Sequence, residues 1–171
     1  MGGHGALTIY LNSTSYRSCS AFAPIANPTN CPWGQKAFNG YLQGGIDEAR
    51  GKYDATDLIT KAKDPVRILV DYGTGDKFYQ NGQLLPENFL KAAREAGHDE
   101  LQVRVRSQEG YDHSYYFVSC TSIVMDNVFT LLGRCHRSQL SLQTTFTVRY
   151  YSLPLSLFEI NMASHSPCQL S

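Results

Sequence analysis

Two polar segments follow strand-like runs and carry the side chains best suited to proton transfer. The apolar run Val66–Val70 is followed by Asp71 and Asp76, and the alternating run Leu101–Val105 is followed by His113. A histidine beside a carboxylate can take up and return a proton near neutral pH, because the carboxylate orients the ring and stabilises its charged form. The order predicts an acid–histidine pair; the alternative is a histidine that only caps or packs this corner.

The amino-terminal residues indicate where a nucleophile would stand. In α/β-hydrolases the triad follows the chain order serine, acid, histidine, and the serine lies in a Gly-x-Ser-x-Gly turn between a strand and a helix. Met1-Gly2-Gly3-His4-Gly5 is similar to the second half of such a turn, with Met1 directly after the serine. The alternative is an initiator methionine before a glycine-rich arm. A dinucleotide-binding loop is excluded, since Gly-x-Gly-x-x-Gly does not fit these glycines.

A metal site is the weaker alternative for the same part of the chain. The possible ligands are His4, Cys31, His113 and Cys120. Their spacing matches neither Cys-x-x-Cys nor His-Glu-x-x-His, which place ligands close together on a turn or a helix face. We therefore expect no metal at this site.

Alternating helix and strand patterns are expected to position these side chains. A glycine-led, apolar segment over Gly2–Leu11 predicts a buried helix, and a second helix runs from Pro86 through Ala96 and is closed by Gly97. Strands are predicted at Ser18–Ala23, Val66–Val70 and Leu101–Val105. Strands separated by helices imply an α/β fold with a parallel sheet flanked by helices, whose functional loops lie at the carboxyl ends of the strands.

Three further segments complete the predicted elements. Asn27–Gly45 is rich in proline and glycine and is predicted to be mostly loop. Asp54 is a suitable N-cap for a helical turn that ends at Ile59. His113–Val118 predicts the start of another helix. The connections between strands thus combine short helices with one long loop.

Composition excludes several classes of function. The 171 residues suffice for one domain, and 15 Lys+Arg balance 15 Asp+Glu. Without a basic excess, general binding to nucleic acid is disfavoured. No run approaches the roughly 18 apolar residues of a membrane span. Five irregularly spaced cysteines and the lack of a recognisable signal peptide predict an intracellular chain with free thiols.

The charge density changes sharply after residue 119. Residues 1–119 hold 25 charged side chains, whereas residues 120–171 hold 5 and contain no lysine. The second part is also richer in serine. Two segments of different composition are therefore joined near Ser119 and Cys120.

Long, ordered motifs in residues 1–119 resemble the S-formylglutathione hydrolase family, also called esterase D. They are correctly spaced along the whole segment, so the resemblance is specific. The motifs are Met1–Leu7, Ser20–Ile25, Cys31–Phe38, Gly40–Leu42, Tyr53–Thr56, Gly82–Phe89 and Gln108–Phe117.

This resemblance implies a cytoplasmic α/β-hydrolase of formaldehyde detoxification. Such an enzyme splits S-formylglutathione into glutathione and formate, cleaves simple carboxylic esters, needs no metal or organic cofactor and often forms a homodimer. It also implies the site residues: His113 as the triad histidine and Asp76, rather than Asp71, as the triad acid. Met1 takes the position whose backbone N–H helps to bind the oxyanion. Trp33 flanks the active-site mouth and binds substrate, or only anchors its loop.

Two departures from the family pattern shape our expectations. The nucleophilic serine would precede Met1, so we expect residues 1–119 to be the C-terminal part of an incomplete α/β-hydrolase domain, inactive alone. Residues 120–171 do not match the family, and we expect a poorly ordered tail in which Thr144–Tyr151 is prone to β-aggregation. The alternative function is a non-catalytic pseudo-hydrolase, an interaction protein that kept the scaffold and lost the reaction.

Overall fold

Helices and strands alternate along the chain in the computed structural model, which describes residues 1–63 and 65–120 and the backbone of residues 146–150. The strands are β1 (Tyr16–Phe22), β2 (Ile68–Gly73), β3 (Val103–Gln108) and β4 (Phe146–Tyr150). The helices are α1 (Gly2–Leu11), α2 (Pro32–Tyr41), α3 (Gly45–Ala49), α4 (Ala55–Ile59), α5 (Lys77–Gln80) and α6 (Pro86–Glu95). A 3₁₀ turn covers Pro28–Asn30, and residues 115–120 are helical again.

The strands form one sheet in the order β3-β2-β1-β4. β1, β2 and β3 are parallel, and Ile68 of β2 lies opposite both Cys19 of β1 and Val103 of β3. β4 runs antiparallel to β1. The prediction of an α/β fold with a parallel sheet flanked by helices is thus confirmed, and the carboxyl ends of β1, β2 and β3 meet at one edge.

One face of the sheet carries the main hydrophobic core. Because side chains alternate between the two faces of a strand, every second residue of β1 and β2 points to this side, where α1, α4 and α6 pack. Leu7 and Phe89 are fully buried here. Burying a side chain of this size stabilises the fold by about 1.5–3 kcal/mol. The strand residues of this core are Cys19, Ala21, Ile68, Val70 and Val103.

A second hydrophobic cluster joins the helical segment 115–120 to the end of β1. Phe22 and Phe117 are both buried, and their rings meet edge-on with centroids 6.3 Å apart. Ile25 and Leu84 belong to the same cluster. This contact holds the chain after β3 across the carboxyl end of the sheet, where His113 lies.

The prediction of a loop over Asn27–Gly45 is wrong for the centre of that segment, which forms α2. Pro32 occupies the first helical turn, where its missing N–H costs nothing. The Cys31 Sγ caps the helix by accepting the Gly34 N–H at 3.3 Å. A side chain at Gly34 would place its Cβ 2.0 Å from the Pro28 carbonyl oxygen. This proline and this glycine therefore mark a helix start and a close backbone contact, not a loop.

The other predicted elements are present, with shifted strand ends. α1 has the predicted bounds, and α6 begins at Pro86 with Gly97 at φ +91° after its end. β2 and β3 both begin and end later than predicted. Their polar residues Asp71 and Arg106 stay within the sheet because their side chains pair with each other. Loss of hydrophobicity therefore does not mark the end of these strands.

Part of the segment after residue 120 pairs with the sheet. Phe146–Tyr150 forms β4 and pairs with the edge of β1 that lies away from β2. Residues 121–145 and 151–171 lie outside the described residues, so the expectation of a poorly ordered tail stays a prediction. Across the described ranges, no helix is both long and apolar enough to cross a membrane.

Candidate active site

The turn after β2 fixes the carboxylate of Asp76. This residue is the N-cap of α5, and its Oδ1 accepts the Phe78 backbone N–H at 2.7 Å. Its side chain is fully buried. The cap leaves Oδ2 available for one further donor, and it fixes the orientation of the carboxylate.

His113 supplies that donor from the loop after β3. Its Nδ1 lies 2.7 Å from Oδ2 of Asp76. Since an ionised carboxylate only accepts, Nδ1 carries the proton and Nε2 bears the lone pair. The histidine side chain is 44% exposed, and within residues 1–63 and 65–120 no hydrogen bond to Nε2 occurs. This nitrogen is therefore free to act as a base toward an incoming hydroxyl or water.

Two glycines allow the loops after β2 and β3 to approach each other closely. A Cβ on Gly73 would lie 2.0 Å from the Tyr111 carbonyl oxygen, and one on Gly75 would lie 2.9 Å from that of Gly110. The same loops are joined by the Gly75 N–H, which donates to the Tyr111 carbonyl at 2.9 Å. The short Gly-x-Gly spacing thus brings Asp76 within hydrogen-bonding reach of His113.

Asp71 has a different partner. Its two carboxylate oxygens accept from Nε and Nη2 of Arg106 at 2.7 and 2.5 Å. Hydrogen bonding to this buried carboxylate raises the pKa of Arg106. The structure therefore pairs Asp76, and not Asp71, with His113.

The amino terminus lies beside the histidine. Gly2, at the start of α1, and His113 line one cavity of about 300 Å³, together with Phe22 and Phe117. Gly3 keeps α1 against the end of β1, because a Cβ there would lie 2.9 Å from the Phe22 carbonyl oxygen. Burial lowers the pKa of the α-amino group of Met1. The start of α1 and His113 thus face the same cavity.

Trp33 is joined to the histidine through Phe78. The ring centroids of Trp33 and Phe78 are 4.9 Å apart, and those of Phe78 and His113 are 4.8 Å apart in an edge-on contact. The Trp33 backbone N–H donates to Oε1 of Gln83 at 3.1 Å. Its side chain nevertheless remains half exposed, so Trp33 anchors the start of α2 and leaves part of its ring open to solvent beside Phe78.

The sequence analysis missed two residues that support this arrangement. Phe78 packs between Trp33 and His113, and its only sequence signal is its place directly after an Asp-x capping pair. Asp54 caps α4, as predicted, but its buried Oδ2 also accepts from the Asn27 side chain at 2.9 Å and the Thr29 hydroxyl at 2.7 Å. It thereby holds the loop that leads into α2, a long-range role that no local pattern indicates.

Three of the four possible metal ligands, His4, Cys31 and His113, have separate environments. Nε2 of His4 lies 2.7 Å from the Tyr53 carbonyl oxygen, Cys31 caps α2, and His113 bonds to Asp76. Among the described residues, no group of three or more histidine, cysteine or acidic side chains is close enough to hold a metal ion.

Curated relatives match the same part of the chain. It is 56% identical over 122 residues to S-formylglutathione hydrolase of Rattus norvegicus, an alignment that covers 70% of this chain and 42% of the relative. The enzyme of that name from Arabidopsis thaliana is 53% identical over 121 residues, with 70% and 41% covered. The chain therefore spans less than half the length of these relatives.

A solved structure and a family model agree with these relatives. The S-formylglutathione hydrolase from Agrobacterium tumefaciens is similar with a TM-score of 0.65 and 36% identity, over 77% of this chain and 46% of that one. Residues 1–124 match the model of the Esterase family, described as "Putative esterase". The resemblance drawn from the motifs is thus confirmed, and the chain belongs to the Esterase family.

Proposed function

We propose that this chain supplies the acid and the base of a serine thioesterase that hydrolyses S-formylglutathione to glutathione and formate and also cleaves simple carboxylic esters. The observation that carries the proposal is the bond from Nδ1 of His113 to the buried carboxylate of Asp76. It leaves Nε2 available, and His113 lines the cavity at the start of α1. The names and identities of the relatives support the choice of substrate.

In this proposal the nucleophile is a serine directly before Met1. Nε2 of His113 takes the hydroxyl proton as the serine oxygen attacks the formyl carbon. The Asp76 carboxylate keeps the ring in the productive tautomer and stabilises the imidazolium that forms. His113 then returns the proton to the departing thiolate, and water repeats the attack on the formyl-serine.

The oxyanion of the intermediate is assigned to the turn at the start of α1. In a chain that continues upstream, Met1 presents a backbone N–H, and the amino end of a helix favours negative charge. One such donor contributes about 3 kcal/mol to transition-state stabilisation in comparable sites. A chain that begins at Met1 instead presents an amino group there, so we expect this donor to be impaired in the 171-residue polypeptide.

The test compares the 171-residue chain with a fusion in which the segment of the rat relative that precedes the aligned residues is joined to Met1. We expect the fusion to hydrolyse S-formylglutathione and p-nitrophenyl acetate and its His113→Ala variant to be inactive. The chain alone should show no turnover, since loss of a nucleophile costs about a million-fold in kcat. His113-dependent turnover by the chain alone would contradict the need for a preceding serine.

The same fusion decides between this function and the pseudo-hydrolase alternative. A fusion that unfolds cooperatively but hydrolyses neither substrate would contradict the proposal and favour a non-catalytic scaffold. Activity that survives both Asp76→Ala and His113→Ala would show that these residues are not the acid and the base.

The proposal extends to location and assembly. The family resemblance supports a cytoplasmic enzyme that forms a homodimer. Light scattering of the fusion should then give twice the mass of one chain, and a fluorescently tagged fusion should distribute through the cytoplasm. A monomer, or accumulation in an organelle, would contradict the corresponding part.

A further inference from the structure

One face of α2 forms a shallow groove beside the candidate active site. Its lining residues are Trp33, Lys36, Ala37, Gly40 and Tyr41, around a cavity of about 440 Å³. Residues with these spacings lie along one side of a helix. We call this feature the α2 groove.

The shape of the α2 groove suits a narrow, extended ligand. Ala37 and Gly40 form a low floor, and a Cβ added at Gly40 would meet no atom within 4 Å. Trp33 and Tyr41 stand at the two ends and are 49% and 87% exposed. Exposed aromatic rings around a small-residue floor are typical of binding surfaces, because they offer a large apolar contact at little cost in side-chain entropy.

The groove is continuous with the site around His113. Trp33 belongs to both, since its ring contacts Phe78, which in turn contacts the imidazole. The backbone of Trp33 is held by Gln83. A ligand whose reactive atom lies at Nε2 of His113 can therefore extend over Phe78 and Trp33 into the groove.

Lys36 gives the groove a positive charge. It is the one charged residue that lines the cavity, and within the part of the chain that the structure describes it forms no ion pair. Its ammonium group is thus available to a carboxylate. The groove combines aromatic ends with a single cation, a combination that favours an anionic ligand with an apolar part.

We propose that the α2 groove binds a carboxylate-bearing arm of the glutathionyl group, with Lys36 paired to the carboxylate and Trp33 packed against the arm. The inference rests on the proposed function, which places the thioester at His113. Two residues of extended peptide span about 7 Å, and the helix rises about 12 Å from Trp33 to Tyr41. One arm of the tripeptide therefore fits within the groove.

Trp33 is the only tryptophan of the chain, so its fluorescence reports on ligands that lie against this ring, in the groove or on the side of His113. The 171-residue chain, at low micromolar concentration, is titrated with S-methylglutathione, a stable thioether that keeps both carboxylates. S-methylcysteine, which lacks both arms, is the control ligand. We expect a saturable change with the first and none with the second at equal concentration. Equal responses to the two ligands would overturn the proposal.

Charge variants test the role of Lys36. An exposed ion pair is worth up to about 1 kcal/mol, so Lys36→Gln should weaken binding of S-methylglutathione about two- to fivefold, and Lys36→Glu should weaken it more. Lys63→Gln removes the same charge from an exposed position outside the groove and should leave binding unchanged. If Lys36→Gln and Lys63→Gln weaken binding of S-methylglutathione equally, the effect is due to net charge, and Lys36 is not the partner of the carboxylate.

The fusion separates failure of this inference from failure of the proposed function. Lys36→Gln in the active fusion should raise KM for S-formylglutathione two- to fivefold and should change kcat/KM for p-nitrophenyl acetate, which has no carboxylate, by a smaller factor. Lys63→Gln should change neither value. If the Lys36→Gln fusion is active and its KM is unchanged, the proposed binding of the glutathionyl group in the α2 groove is contradicted, whereas the proposed thioesterase activity stands. If the fusion binds S-methylglutathione through Lys36 but does not hydrolyse S-formylglutathione, the proposed binding in the α2 groove stands and the proposed thioesterase activity is contradicted. If the Trp33 fluorescence changes with protein concentration and not with ligand, the α2 groove is a contact between copies of the chain, and the proposal is contradicted.

Discussion

Asp71 and Asp76 belong to the same strand and turn and are both buried, but they differ in what remains free on the carboxylate. Both oxygens of Asp71 are used by the Arg106 guanidinium. Asp76 uses one oxygen to cap α5 and keeps the other for His113. At the scale of single residues, the available lone pairs decide which acid can orient a histidine.

We predict that Asp76→Asn and Asp71→Asn separate activity from stability in the fusion protein. Asp76→Asn preserves the shape but can impose the wrong histidine tautomer, so kcat should fall by about 10⁴-fold, as in comparable triads. Asp71→Asn leaves Arg106 without its charge partner and should destabilise the fold by about 3–5 kcal/mol, while kcat of the folded protein changes much less. Steady-state kinetics and thermal unfolding measure both effects, and a reversed pattern would assign the acid to Asp71.

His4 makes stability depend on pH. Burial, as the main cause, lowers the pKa of its imidazole, against the opposing effects of its bond to the Tyr53 carbonyl and of Asp54. The unfolded chain therefore binds a proton more readily than the folded one, and stability falls as pH drops from above about 6.5 toward the lowered pKa.

We predict that His4→Gln reduces this pH dependence. Glutamine keeps an N–H donor for the Tyr53 carbonyl but does not titrate. Urea unfolding of the fusion at pH 7.5 and 5.5 should show a smaller loss of stability on acidification in the variant than in the parent protein. An equal loss in both proteins would mean that His4 does not contribute to the acid sensitivity.

At the scale of elements, helices and strands with local sequence signals could be predicted. Elements and strand ends that depend on tertiary contacts could not. The helix that begins at Pro86 and ends before Gly97 is bounded by residues that act through their own backbone, and it is confirmed. α2 was missed because Gly34 resembles a breaker, whereas the structure uses it for contact with Pro28. The strand ends were misplaced because the pairing of Asp71 with Arg106 joins residues far apart in the chain.

The same distinction applies to the candidate site. The histidine after one strand and the acid after another were visible as a pattern, and the resemblance selected Asp76. The packing of Phe78 between two rings was not visible, because it depends on how the turn after β2 meets α2. The acid and the histidine could thus be predicted from the sequence. The apolar side chain of Phe78, which packs against the histidine, could not.

We predict opposite effects from the same substitution at two glycines of α2. Gly34→Ala should destabilise the fusion by about 1–3 kcal/mol, because its Cβ has no room beside the Pro28 carbonyl. Gly40→Ala meets open space and should stabilise it by about 0.5–1 kcal/mol through helix propensity. Chemical denaturation measures both changes. Equal effects at the two positions would show that helix propensity, and not the close contact, explains Gly34.

At the scale of the whole molecule, the chain exposes large apolar side chains and spans only part of the length of its relatives. It aligns with 42% of the rat protein, and large side chains such as Leu101 and Tyr115 are 81% and 80% exposed. β4 pairs with the edge of β1, but Thr144–Tyr151, the segment that contains it, carries Arg149 as its one charged residue. A β-prone segment of low charge promotes association between chains.

We therefore predict that the 171-residue chain self-associates at tens of micromolar concentration, whereas the fusion stays in solution as a defined species. Val148→Lys places a second charge in the β-prone segment and should slow the association of the chain, as charged residues do in other aggregating strands. Gln43→Lys, at an exposed position outside that segment, tests whether added charge alone suffices. Sedimentation velocity at 5 and 50 µM distinguishes the outcomes. A monomer with a sharp thermal transition at both concentrations would show that residues 1–171 bury enough apolar surface to fold without a partner segment.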